Sequence, residues 1–431
     1  MSSLPSPTGA PSAQPTPVVA RTVALDDPGA LLSLLPDLGD PRALTSWVRR
    51  GQGLVGWGRA LEFTAHGEDR FAACERWWRQ VVDTAVVRDD VRVPGTGPVT
   101  FGSISYAAGS PAGATLVVPE VVVGARDGRW WVTTIGTAAE LPAPVAPTPQ
   151  PEPAEPVGVT FADGSLSPAR WAVAVDEAVR RITAGELDKV VLARDLRVQA
   201  TEPVDARWLL QRLGERYDTT WVFAVDGLVG ASPEMLVRLE RGLVTSRVLA
   251  GTIRRTGDDE HDLALAGSLA RSSKDLEEHE YAVRSVADAL RPHCSSMNVP
   301  ESPFVLHLSN VMHLATDVAG VLADGSTSLV LAASLHPSAA VCGTPSDRAD
   351  AVITELEHMD RGRYAGPVGW MDSSGDGEWA IALRSGAYEP GSTTSMRLFA
   401  GCGIVAGSDP DAEVAESDAK LVPMRDALTG R

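Results

Sequence analysis

Ala400-Gly401-Cys402-Gly403-Ile404-Val405-Ala406-Gly407-Ser408-Asp409-Pro410 runs directly into Asp411-Ala412-Glu413-Val414-Ala415-Glu416-Ser417-Asp418-Ala419-Lys420-Leu421. The first part closes an apolar strand near Met396 to Ile404, and a helix is expected from about Asp409 to Leu428. Two glycines at a strand end permit close backbone approach and let amide N–H groups converge on an anion. The third glycine is misplaced for a dinucleotide-binding Gly-x-Gly-x-x-Gly turn. On the helix, Glu413, Glu416 and Lys420 are spaced i, i+3, i+7 and share a face, with Leu421, Met424 and Leu428 on an adjoining stripe. The plain reading is a solvated face with an i, i+4 Glu–Lys pair, which is worth little. The sharper reading is two carboxylates offered to a divalent cation, for which hard oxygen ligands suit Mg²⁺.

The composition limits what the rest can be. The chain has 431 residues, a formal charge of −18 and 44% hydrophobic residues, enough for a large core. That charge opposes phosphate backbones and argues against a nucleic-acid partner. No apolar run of membrane-spanning length occurs, so no membrane partner is expected. Cys74, Cys294, Cys342 and Cys402 are far apart, without Cys-x-x-Cys spacing, and the Ser/Pro-rich start lacks a signal-peptide pattern. A cytoplasmic setting with free thiols follows as the expectation.

Residues 1–20 read as a disordered tail and residues 21–140 as strands with a few helices, including a helix over Phe71 to Val82. Ala114 to Val123 and Arg129 to Ile135 are expected strands around the Asp127-Gly128 turn. Residues 141–157 carry seven prolines, which exclude helix and central strand. Composition leaves open whether they link two domains or form a loop within one. From Ser167-Pro168 a capped helix places Trp171, Val175, Ala178, Val179 and Ile182 on one face and stops near Gly185. Strands are expected at Lys189 to Val198, Trp221 to Val229, Met235 to Leu239 and Val244 to Thr252, with a helix over Val204 to Tyr217. A helical region over Asp258 to Leu290 and strand pairs over Phe304 to Val321 follow, then helices near Ser326 to Leu335 and Ser346 to Arg361. Further strands are expected near Tyr364 to Trp370 and Glu378 to Ser385. Elements arrive in groups rather than in alternation, which predicts an α/β (α+β) fold of mixed sheets with helices outside.

Other residues could carry chemistry. Lys189 opens an apolar strand; in a closed pocket desolvation would make it a usable base. Glu234, after Gly230-Ala231-Ser232-Pro233, would become an acid at neutral pH if buried. Such a pair of displaced titrations is what a lyase or isomerase needs. Glu278 opens a helix and could add a carboxylate to the same cation, although an exposed turn explains it as well. His313 in an apolar strand is most often a hydrogen-bonded core residue. Arg384 could clamp a carboxylate in a two-pronged fork.

Seven segments together resemble the chorismate-utilising enzymes, which include isochorismate synthase, salicylate synthase, anthranilate synthase component I and aminodeoxychorismate synthase component I. They are KVVLAR (Lys189 to Arg194), GASPEML (Gly230 to Leu236), LAGT (Leu249 to Thr252), SKDLEEH (Ser273 to His279), LHPSAAVCG (Leu335 to Gly343), YAGPVGW (Tyr364 to Trp370) and the Ala400 to Leu421 stretch. The resemblance implies an anthranilate synthase component I-like fold: a single large domain with two mixed, largely antiparallel β-sheets flanked by helices. Residues 21–140 would be its variable N-terminal part, residues 141–157 a proline-rich loop, and residues 158–428 the chorismate-binding catalytic core.

The resemblance also implies an activity. Lys189 stands where water-using members place their base, and Ala250 where aminodeoxychorismate synthases carry a nucleophilic lysine. Leu335 to Val341 is similar to the isochorismate synthase form. An Mg²⁺-dependent isochorismate synthase is therefore expected, an isomerase adding water at C2 of chorismate with loss of the C4 hydroxyl. Its product would feed menaquinone or siderophore biosynthesis. Lys189 would be the base and Glu234 the acid. Glu278, Glu416 and Glu413 would hold the metal, and Thr252, His313, Tyr364, Arg384, Gly401, Gly403 and Lys420 would bind or line the substrate site. Salicylate synthase is the near alternative, followed by anthranilate synthase component I and an inactive chorismate-binding module. The resemblance implies a monomer without an amidotransferase partner. Cys402 departs from the alanine or other small residue usual between the two glycines.

Overall fold

The structure is a computed structural model and describes residues 17–137, 140–307 and 311–430; the side chains of Thr252, Lys274 and Glu278 lie outside that description. Among the described residues the strands form two sheets, one of thirteen strands and one of ten. Every pairing is antiparallel except Val19–Leu25 with Val86–Asp89. The apolar faces pack against each other and against the helices, with Trp78, Trp131, Trp171 and Trp379 fully buried. No described helix is long and apolar enough to cross a membrane.

Strands from both ends of the sequence interleave in each sheet. Leu44–Arg49 pairs with Trp221–Val225 in the larger sheet, and Val99–Ile104 pairs with Pro367–Asp372 in the smaller. The chain is one domain. Residues 141–157 contain neither helix nor strand and are tied to the surface by bonds such as Gln150 N–H to the Ser33 carbonyl at 2.8 Å.

Local signals place the helices well. Ser167 caps Pro168–Thr183 by accepting from the Arg170 N–H, a contribution of about 1 kcal/mol. Asp409 caps Pro410–Thr429 in the same way, accepting from the Ala412 N–H. Gly185 adopts φ +80°, a left-handed conformation that stops the helix before it at no steric cost.

Several expectations need correction. The first strand begins at Val19, so the tail reading runs two residues too far; residues 1–16 lie outside the described residues. Ala114 to Val123 is not one strand. It breaks at Pro119, with Ala114–Val118 in the smaller sheet and Val121–Arg126 in the larger. Trp221 to Val229 is a hairpin, Trp221–Val225 and Leu228–Ser232, turned by Asp226 (φ +49°) and Gly227 (φ +79°). The helical region over Asp258 to Leu290 is two helices, Asp259–Leu269 and Ser273–Leu290, because Ser272 caps the second. Glu378 to Ser385 splits into Gly377–Ile381 in the smaller sheet and Ser385–Tyr388 in the larger.

Candidate active site

Two of the places where the chain passes between sheets build the site. Leu228–Ser232 belongs to the larger sheet and Met235–Glu240 to the smaller, so Pro233 and Glu234 occupy the crossing. The crossing from Gly377–Ile381 to Ser385–Tyr388 carries Arg384, at φ +49°. Both face a cavity of about 420 Å³. Its wall also includes Lys189, His313, Tyr364, Gly401 and Gly403, and on the helix Pro410–Thr429, Glu413, Glu416 and Lys420. Residues separated by more than two hundred positions thus share one chamber. Of the remaining expected residues, Thr252 lies in the strand Leu243–Arg254 and Glu278 in the helix Ser273–Leu290, but their side chains are outside the described residues.

The floor is an antiparallel pair. Lys189–Gln199 lies against Ser395–Ile404, with Val191 opposite Gly403 and Ala193 opposite Gly401. Directly opposed residues project to one face, so Lys189, Val191 and Ala193 share a surface with the two glycines. The small side is needed: a Cβ on Gly403 would lie 3.0 Å from Cε of Lys189. The same register turns the N–H groups of Gly401 and Gly403 away from Lys189–Gln199. On that side Ser385–Tyr388 pairs only as far as Leu398. Tyr364, 4% exposed, stacks on Phe399 with centroids 5.2 Å apart and closes the floor.

Burial sets the electrostatics. Glu234 is buried at the crossing, its N–H donating to Ser232 Oγ at 3.2 Å. Desolvation pushes its carboxyl up to about 7, outweighing the opposing charges of Lys189 and Lys420. The imidazole of His313 is pushed down to about 3 by burial, with Arg384 and Lys420 acting in the same direction, so it is neutral at physiological pH. Burial likewise lowers Arg384, opposed by Tyr364, Tyr217 and Glu416. Desolvation works against the charge of Lys420, yet the Glu416 carboxylate beside it holds its pKa above the ordinary value. Its Nζ donates to the Gly401 carbonyl at 2.9 Å and pairs with Glu416 Oε1 at 2.6 Å.

Glu413, Glu416 and Cys402 offer ligand atoms within 4.8 Å of one another. Burial, with the negative charge of Glu416 also contributing, raises Glu413. Two oxygen donors whose charges repel suit a hard divalent cation. The Cys402 thiol does not, because burial pushes it up to about 12 and keeps it protonated. The carboxylate pair therefore fits Mg²⁺, and Glu416 would share it with Lys420.

One buried ion pair at the cavity was missed from the sequence. Arg361 lines the cavity and binds Glu357 through Nε to Oε2 at 2.9 Å and Nη2 to Oε1 at 2.5 Å, both side chains being 2–3% exposed. Removing one partner of such a pair strands the other charge at a cost of about 3–5 kcal/mol. Their i, i+4 spacing was the available signal, but in the sequence it was indistinguishable from an exposed helix pair. Asp275, on the helix Ser273–Leu290, also lines the cavity without having been singled out.

The sequence profile of a family described as chorismate binding enzyme matches residues 12–429. Isochorismate synthase DhbC of Bacillus subtilis is 41% identical over 266 residues, covering 59% of this chain and 66% of the relative, so the chain spans just under two thirds of it. The salicylate biosynthesis isochorismate synthase of Pseudomonas aeruginosa is 33% identical over 409 residues, 89% of this chain and 84% of the relative. Among solved structures, MenF, the menaquinone-specific isochorismate synthase from Escherichia coli, superposes with a TM-score of 0.78 at 25% identity, covering 96% of this chain and 95% of that one.

Proposed function

The chain belongs to the family of chorismate-binding enzymes, and from that premise we propose that it converts chorismate to isochorismate. The observation that carries the reading is the pairing, in one cavity, of Lys189 with a buried carboxyl whose pKa is about 7. Relatives named isochorismate synthase support it.

In this mechanism Lys189 accepts a proton from water as the water oxygen bonds to C2. The ring double bonds shift, the C4–O bond breaks, and Glu234 delivers a proton to the departing hydroxyl, which leaves as water. One water enters and one leaves, so the reaction is an isomerisation. Arg384, Lys420 and the outward-facing amides of Gly401 and Gly403 receive the substrate carboxylates, and neutral His313 offers a hydrogen bond without adding charge. Tyr364 walls the ring. Glu413 and Glu416 would hold Mg²⁺, with Glu278 as a further ligand. When bound, the metal supplies positive charge against the ring carboxylate as electron density moves through the diene. This local positive charge is what lets a dianion enter a protein of charge −18.

The test is product analysis. Incubation with chorismate and Mg²⁺ is expected to yield isochorismate without pyruvate. Salicylate and pyruvate in equal amounts would identify a salicylate synthase instead, and unchanged chorismate would refute both.

A pH dependence follows from Glu234. As the acid it works protonated, and a pKa raised to about 7 keeps it protonated well above the ordinary carboxylate range. A break in the pH profile is thus expected at about 7, measured as kcat/KM for chorismate, because the reacting form needs Glu234 protonated and Lys189 unprotonated together. Glu234→Gln should remove that break along with most of the rate. A profile flat from pH 6 to 9 in the unaltered protein would reject the role.

A further inference from the structure

The strand that begins with Lys189 lacks a neighbour where it matters. On one side Lys189–Gln199 is paired with Ser395–Ile404 from Val190 to Gln199. On the other side Gly343–Thr344 covers Lys189 and Val190, and Thr160–Asp163 covers Leu196 to Gln199. Among the described residues no strand pairs with the interval 191–195 on that side. Unpaired buried N–H and C=O groups are rare because each forfeits its hydrogen bond to water.

Side chains fill the gap. The Ala193 N–H donates to Glu357 Oε1 at 2.7 Å, and Arg361 Nη2 donates to the Val191 carbonyl at 2.7 Å. The indole N–H of Trp171 donates to the Ala193 carbonyl at 3.1 Å. Only one of these contacts is backbone to backbone, the Val191 N–H to the Cys342 carbonyl at 2.8 Å. Arg361 also donates to the Val341 carbonyl at 2.8 Å, and its guanidinium lies 4.3 Å over the Tyr106 ring. A carboxylate and a guanidinium, locked to each other, thus present the acceptor and the donor that a neighbouring strand would have offered.

We propose that Glu357 and Arg361 are positioning residues for the reaction, replacing a strand along the edge of Lys189–Gln199 so that Lys189 is held toward Glu234 across the cavity. The proposal rests on Lys189 acting as the base. Val191 and Ala193, the two residues held by the pair, are the ones that continue the Lys189 face along the cavity floor. Trp171, from the helix Pro168–Thr183, reaches the same edge. Loosening the edge leaves Arg384 and Lys420, which sit on other elements, in place and lets the lysine drift.

The experiment replaces both charges together, Glu357→Leu with Arg361→Met, which removes the edge bonds without stranding a buried charge. In a folded double variant kcat is expected to fall about tenfold to a hundredfold, with KM for chorismate nearly unchanged, because misplacement of a reacting group acts on the chemical step. The break in the pH profile set by Glu234 should also move to higher pH. Glu234 is held down by Lys189 and Lys420, and only Lys189 is released. Trp171→Phe deletes one edge donor while keeping the buried ring; it should show the same two changes in smaller degree and decides the matter if the double variant does not fold. Restoring an acceptor for Ala193, Glu357→Gln with Arg361→Met, should recover part of kcat. An unmoved kcat, or a loss of kcat without any shift of that break, would overturn the proposal by reducing the pair to a fold-stabilising role. Lys189→Gln is assayed alongside: full activity there would reject the base assignment itself, whatever the pair variants do.

Discussion

Lys189→Gln is expected to lower kcat for isochorismate formation by about 10³-fold, within the range that loss of a positioned general base costs. Glutamine keeps a polar side chain, one atom shorter than lysine, but cannot take a proton from water. The loss should fall on kcat. Chorismate affinity, read by calorimetry with Mg²⁺ present, should stay measurable, since Arg384 and Lys420 sit on other parts of the wall and the substitution leaves the Gly401 and Gly403 amides in place. An interaction made only in the transition state lowers kcat and kcat/KM together. A variant of undiminished activity would remove Lys189 from the mechanism, and a variant that no longer bound chorismate would make it a binding residue.

Chelation is the second large effect. Treatment with EDTA is expected to take turnover below detection and to weaken chorismate binding, and added Mg²⁺ should restore both. Glu413 and Glu416 lie close enough to repel, and Lys420 is the cation paired with Glu416 at 2.6 Å. Without a second cation the carboxylates of Glu413 and Glu416 would cancel the charge that Arg384 and Lys420 present to a dianion. Glu416→Gln should raise the Mg²⁺ concentration needed for half-maximal activity, because it removes one of the two charges that hold the ion. Full activity in EDTA-treated protein would overturn the metal assignment, and recovery by high salt in place of Mg²⁺ would reduce its role to screening.

Much was legible before any tertiary structure. Ser167-Pro168, Gly185 and Asp409-Pro410 state their helix ends locally, since a cap needs only a side chain and the next few amides. The strand character of Lys189 to Gln199 and Ser395 to Ile404 follows from their apolar runs. The candidate chemistry also stood out by residue type: a lysine opening an apolar strand, a glutamate after a proline turn, glutamates one helical turn apart.

What no local pattern contains is where the chain changes sheets. Glu378 to Ser385 reads as a continuous strand because strand propensity persists across the crossing, and although Pro119 marks a break within Ala114 to Val123, the partner strands that send the two halves to different sheets are distant in sequence. Glu234 and Arg384 owe their position to two such crossings, so their convergence depends on pairings more than a hundred residues apart. The pKa of about 7 at Glu234 is likewise a product of burial, invisible in a side chain taken by itself. The Glu357–Arg361 pair makes the same point: its spacing is readable as a number, whereas its task at Val191 and Ala193 exists only once a different segment has left that edge open. Sequence alone determined most helices and strands, the capped helix ends and the kinds of chemistry on offer, because those are set by neighbours within a turn or two. Tertiary structure decided which groups meet and which are dried, because those are set by long-range pairing and by exclusion of water.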